Sequence, residues 1–217
     1  MALFENVVVR TKVVGKKTKL KTDLLFLDRA IQARKKKFGV TVYDRLSAIT
    51  CQQDFYATTD KTIVTIRPQL LEADREIRAL DGKKLQRKGD LDLAEALRRE
   101  AFPTQASDFK EKTANLGKNI SMTANEAKIK IRLSAINTET HLFKEALGLK
   151  LYPIVEELFG PSVQPIAVHC STDEAVNKLI ETYNNCREDI RKFEREKSDK
   201  LGLIDKLDID VSLMMVK

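Results

Sequence analysis

The sequence predicts an all-α protein, an elongated antiparallel bundle of three to four long helices of the coiled-coil kind. Three observations predict it. Over residues 176–211, apolar or small side chains recur at three-then-four spacing: Val176, Leu179, Tyr183, Cys186, Ile190 and Phe193, then Ile204, Leu207 and Val211. Only Lys197 and Lys200 interrupt this seam, so it reads as a long helix that buries one narrow stripe against a partner helix. Such a helix is about 53 Å long by its rise per residue, whereas a compact globule of this chain length is about 44 Å across. The molecule is therefore expected to be a rod. Finally, the 217 residues include only eight Gly and five Pro while 33% are charged, which suits amphipathic helices and argues against a turn-rich sandwich or barrel.

Taken in order, residues 1–15 form an amphipathic segment. Leu3, Phe4, Val7, Val8, Thr11 and Val14 fall on one helical face, and a lysine cluster follows: Lys12, Lys16, Lys17, Lys19 and Lys21. An apolar face joined to a basic patch is what an interfacial helix needs. The same face would also serve as the first turns of a core helix, packed on the bundle.

Residues 17–58 carry a helical stripe of Leu20, Leu24, Leu27 and Ile31, then Phe38, Val42, Leu46 and Ile49 after a one-residue slip of phase. The run Arg34, Lys35, Lys36, Lys37 sits near its middle and reads as a solvated face or a phosphate-facing patch. Residues 63–100 hold a clean heptad of Ile63, Ile66, Leu70, Ala73, Ile77 and Leu80, with Pro68 either in a first turn or at a kink. Gly82 and Gly89 then bracket Lys83, Lys84, Arg87 and Lys88, which predicts a basic turn or loosely helical tip. A short helix through Leu91, Leu93, Ala94 and Leu97 ends before Pro103.

The next helix is expected over residues 107–160. Its stripe is weaker, Leu116, Ile120, Ala124, Ala127, Ile131, Ala135, Leu142, Ala146 and Leu149, with Pro153 near the end. Pro161 and Pro165 mark the sharpest break in the chain. Ser171 and Glu174 then form a capping box that opens the last helix, residues 171–211. The tail Leu213, Met214, Met215, Val216 is apolar. With no Pro/Ser/Gly-rich linker, residues 1–217 read as one elongated domain.

The formal net charge of +7 points to polyanionic partners. Cys51, Cys170 and Cys186 are too widely separated for a metal site or a disulfide framework, which indicates a reducing, cytoplasmic setting. No apolar run has transmembrane length, and lysines from Lys12 onward interrupt any signal-peptide core, so the chain is expected to be soluble or peripheral. His141 and His169 are far apart and belong to no ligand spacing, and Gly15-Lys16-Lys17-Thr18 lacks the upstream glycine of a phosphate loop. No catalytic residue, metal ligand or cofactor is expected, nor enzyme activity. Nucleic acid is only a minor alternative, because the basic charge is spread along the chain rather than gathered in one recognition helix.

Long helices joined by short connectors, with a basic surface and an amphipathic N-terminal stretch, resemble the BAR-domain family of membrane-curvature scaffolds. The opening Met1-Ala2-Leu3-Phe4-Glu5 is also similar to the starts of PspA-type membrane-remodelling proteins, relatives of ESCRT-III. Both resemblances imply a peripheral scaffold that binds and shapes anionic phospholipid membranes and self-assembles as a homodimer or larger. In that reading Leu3, Phe4, Val7 and Val8 insert shallowly. Lys12, Lys16, Lys17, Lys19, Lys21, Lys35, Lys36, Lys37, Lys83, Lys84, Arg87 and Lys88 neutralise lipid phosphates. The alternative is a cytosolic coiled-coil adaptor or assembly subunit that binds a protein partner and no lipid.

Overall fold

The computed structural model describes the backbone of residues 2–47, 56, 59–101, 109–160 and 174–215, and the side chains of 11–47, 56, 59–100, 119–160, 174–209 and 212. Four long helices account for nearly all of it: α1 (Ala2–Leu46), α2 (Lys61–Ala101), α3 (Phe109–Phe159) and α4 (Glu174–Met215). The longest, α3, has 51 residues and so extends about 76 Å. Local chemistry sets several of the ends. Asp60 accepts the Thr62 N–H through Oδ1 at 2.8 Å and caps α2. Gly160 takes φ 71° just past α3, the left-handed C-cap that a β-carbon would strain. Ser171 lies outside the described residues.

Of the two readings of the N-terminal segment, its backbone agrees with continuity: α1 passes through Gly15 without a break. The helix α2 likewise runs on through Gly82 and Gly89, where a basic turn or a loosely helical tip was expected. One helical glycine costs about 1 kcal/mol relative to alanine, too little to break a helix whose neighbouring turns are packed. Pro68 and Pro153 lie inside α2 and α3, both on exposed positions, where the carbonyl that each leaves without a partner can be hydrated.

Ion pairs report how the helices run. As numbers rise along α1 they fall along α4: Lys17 meets Asp208, Asp23 meets Lys200 at 3.0 Å, Asp28 meets Lys197 at 2.6 Å and Arg45 meets Glu181 at 2.7 Å. The pair α2 and α3 is likewise antiparallel, through Glu72–Lys150 at 3.3 Å, Glu95–Lys130 at 3.6 Å and Arg98–Glu126 at 3.1 Å. In every one of these contacts the two residues lie about equally far on either side of residue 112. The chain is therefore one hairpin nested inside another.

The two hairpins overlap where α1 crosses α3, with Asp44–Lys144 at 2.6 Å and Lys36–Glu145 at 3.0 Å. There all four helices contribute to one core. Phe38, Val42 and Leu46 come from α1, Ile63, Ile66, Leu70 and Ile77 from α2, Leu147, Leu151 and Tyr152 from α3, and Leu179, Ile180, Tyr183 and Ile190 from α4. Phe38 meets Tyr152 edge-on at 5.7 Å between centroids, and Tyr152 lies 5.6 Å from Tyr183. Tyr43 donates to buried Asp74 at 3.1 Å, tying α1 to α2, and Arg78 donates to the other oxygen of Asp74.

Beyond this core the bundle thins to two-helix arms that leave from opposite ends. One arm pairs the N-terminal half of α1 with the C-terminal half of α4, the other the C-terminal half of α2 with the N-terminal half of α3. The predicted seams of α1, α2 and α4 turn inward wherever their side chains are described, Ile49 and Val211 lying outside the described ones. Lys197 and Lys200, the two breaks in the α4 seam, sit opposite Asp28 and Asp23 and so carry the register of the first arm.

The stripe predicted for α3 does not turn inward. Ile120 is 64% exposed, Ile131 69% and Leu142 53%, while Ala124, Ala127, Ala135 and Ala146 are exposed and Leu149 is 38% exposed. The side chains that face the bundle are Ile129, Leu133, Ile136, Phe143, Leu147 and Leu151. Thus α3 has two apolar faces, and its larger side chains, ending in the fully buried Leu151 and Tyr152, take the core.

Candidate functional surface

The basic residues that sequence reading singled out are divided among three places. Lys12, Lys16, Lys17, Lys19 and Lys21 lie on the first arm, Lys35, Lys36 and Lys37 at the core, and Lys83, Lys84, Arg87 and Lys88 at the root of the second arm. Their surroundings differ.

On the first arm, Lys17 points to α4 and is paired with Asp208. Lys12, Lys16, Lys19 and Lys21 are exposed, and none has an ion-pair partner among the described residues. Four-then-three spacing puts Lys12, Lys16 and Lys19 on one flank of α1. Lys21 lies on the other flank, in line with Val14 and Leu25, which are 63% and 62% exposed. Phe26 is exposed as well, with the Arg29 guanidinium 5.9 Å from its ring centroid. The side chains of Leu3, Phe4, Val7 and Val8 lie outside the described ones.

At the core the lysine run is largely engaged by α3. The Lys35 ammonium stands 4.8 Å above the Tyr152 ring, and Lys36 is paired with Glu145. Lys37 is exposed and borders a groove of about 230 Å³ between α1 and α4 that Arg34, Arg45, Cys186 and Asp189 also line. Both arginines of this groove are already matched, Arg34 to Asp189 at 3.4 Å and Arg45 to Glu181. At the second arm Lys83 and Lys88 are exposed, Lys84 is half-buried, and Arg87 is paired with Asp90 at 2.8 Å.

Cys186 is buried, its Sγ donates to the Arg34 carbonyl at 3.4 Å, and burial pushes its thiol up to about 12, with Asp189 adding to the effect. Buried within the core cluster, this side chain packs against its neighbours as a small apolar group. His141 faces Glu145 one turn on, at 3.4 Å on the surface. Among the described residues no group of three His, Cys, Asp or Glu side chains could hold a metal ion, and no described helix is long and apolar enough to cross a membrane.

Sequence reading missed the outward apolar stripe of α3 as a surface feature. The signal was present in the spacing. Ile120, Ile131 and Leu142 recur every eleven residues, as do Ala124, Ala135 and Ala146. Comparison with family models, with curated proteins and with solved structures finds no match to this chain.

Proposed function

We propose that this chain is a peripheral scaffold that binds anionic membranes through the first arm and self-associates to shape them. One observation carries the reading: Lys12, Lys16, Lys19 and Lys21 are exposed and have no acidic partner among the described residues, while Lys17, Arg34, Lys36 and Arg45 on the same helix are each matched by a carboxylate. Each basic side chain at an anionic leaflet contributes about 1 kcal/mol, so four contribute about 4 kcal/mol. That alone gives only about millimolar binding. The apolar face of residues 3–14 supplies the rest. On the same helix the side chain of Val14 is exposed. Insertion of Leu3, Phe4, Val7 and Val8 then adds the free energy of burying apolar side chains.

Co-sedimentation with vesicles of mixed anionic and zwitterionic phospholipid, at low and at high salt, tests this. Binding at low salt, weakened by salt and lost on replacing Lys12, Lys16, Lys19 and Lys21 with Glu, is the expected result. No binding at low salt, or binding indifferent to the four substitutions, overturns it. The second reading is a coiled-coil adaptor without lipid binding. It is favoured by the outward stripe of α3 and predicts a protein partner instead of vesicle binding.

A further inference from the structure

The outward face of α3 is built to match itself. Its apolar residues follow an eleven-residue repeat, about 3.67 residues per turn, which keeps the stripe almost straight along the helix. Within the repeat, large and small residues alternate. The order is such that reversing the helix about a point beside Leu133 sets three large side chains against alanines, Ile131 against Ala135, Leu142 against Ala124 and Ile120 against Ala146, while Leu149 falls opposite Gly117. Large-against-small layering lets two helices interdigitate closely. A twofold axis beside Leu133 performs that reversal.

The charges beside the stripe obey the same operation. Lys128 and Glu139 are exposed, lie on one flank of the stripe, and have no ion-pair partner among the described residues. Reversal about Leu133 brings Lys128 of one copy beside Glu139 of the other, and this occurs twice. The strip from Ile120 to Leu149 is about 44 Å long and about one helix diameter wide, roughly 1,000 Å² over both copies, the size at which specific interfaces begin.

We propose that the occupant of this face is a second copy of the chain, its α3 antiparallel to the first, with Ile131 of each copy packed on Ala135 of the other. This gives a specific interface to the self-association in the reading above, and it requires no lipid.

Sedimentation equilibrium of the full chain without lipid tests it. A dimer at about 100 μM is expected, at the weak end for an interface this small. Replacing Ile131 and Leu142 with Glu is expected to yield a monomer with unchanged helical circular dichroism, because both side chains are already exposed. Lys128→Glu is expected to weaken the dimer at least tenfold, and adding Glu139→Lys to restore it. In a background with Cys51 and Cys170 replaced by Ser, Ile131→Cys with Ala135→Cys is expected to oxidise to a covalent dimer, and Ala135→Cys alone is not. A monomer at 100 μM, a dimer indifferent to the two glutamates, or rapid cross-linking by Ala135→Cys alone overturns the interface. Vesicle binding is read separately. A monomeric chain that still binds vesicles removes this interface and leaves the membrane reading standing, and a dimer that binds none does the reverse.

Discussion

The backbones of α1 and α3 touch at Gly39 and Gly148. A β-carbon on Gly39 would lie 2.1 Å from the Gly148 nitrogen, and one on Gly148 would lie 2.1 Å from the Lys35 carbonyl oxygen. All of these neighbours are backbone atoms, so no side chain can swing aside. Gly39→Ala and Gly148→Ala must push the two helices apart at the crossing where the hairpins join, and each is expected to destabilise by about 3 kcal/mol or more. Urea denaturation checks this, and a loss below 1 kcal/mol would contradict the close crossing.

Gly82 and Gly89 should respond in the opposite sense. Both are helical, and an added β-carbon at either meets nothing within 4 Å. Gly82→Ala and Gly89→Ala are each expected to stabilise by about 0.5–1 kcal/mol, through helix propensity and a less disordered unfolded chain. A loss of stability at either position would mean that α2 bends or opens there.

The Tyr152 hydroxyl is buried and has no hydrogen-bond partner among the described residues. Tyr152→Phe removes an unsatisfied polar group and is expected to stabilise by about 1 kcal/mol at pH 7, measured as a raised urea midpoint. Substitution by Ala should cost several times that, because the ring contacts of Phe38 and Tyr183 would be lost.

Alkaline pH should undermine the core. Burial is the first cause of the upward shift of the Tyr43, Tyr152 and Tyr183 phenols and of the Cys186 thiol, the last to about 12. These groups keep their protons in the fold at pH values where the unfolded chain has lost them. The unfolded state then binds fewer protons, so stability falls as pH rises. It is fully present below about pH 9, the ordinary thiol value, and is lost progressively toward pH 12. A urea midpoint that falls between pH 9 and 11, less steeply in Tyr152→Phe, is the expected result.

On the first arm, Asp28 and Lys197 face each other across the two helices at 2.6 Å, both partly exposed. Asp28→Lys and Lys197→Asp singly place like charges together, whereas the double exchange restores attraction. The coupling from the double-mutant cycle is expected to be about 0.5–1 kcal/mol, the range for exposed pairs. A coupling near zero would remove these residues from register selection.

Much of this fold was legible from spacing. The α4 seam, the α2 heptad from Ile63 to Leu80, and the phase slip between Ile31 and Phe38 all describe faces that turn inward. What spacing could not decide was which side of α3 does so. Ile120, Ile131 and Leu142 mark one stripe, and Ile129, Leu133, Ile136 and Phe143 mark another. The choice follows from Gly148, whose missing side chain lets α1 come close on one side only. That is a tertiary fact with no local period. Gly82 and Gly89 misled for the opposite reason, because a turn signal counts only where packing does not override it. The candidate surface was legible in part: the cluster at Lys12 to Lys21 is exposed except for Lys17, whereas Lys35 and Lys36 engage α3, a contact invisible in a run of like charges.

Because Lys17 and Asp208 join α1 to the last helix toward the far end of the first arm, tension applied at those two residues pulls across the helix pair and not along it. The first arm would peel apart like a zipper, one turn after another at low force, each step releasing one rung of Lys–Asp contacts. Peeling would halt where the aromatic knot around Phe38 and Tyr183 begins, and the next rupture would be abrupt. The rod thus has a compliant end and a stiff middle, set by how many helices share the load at each level.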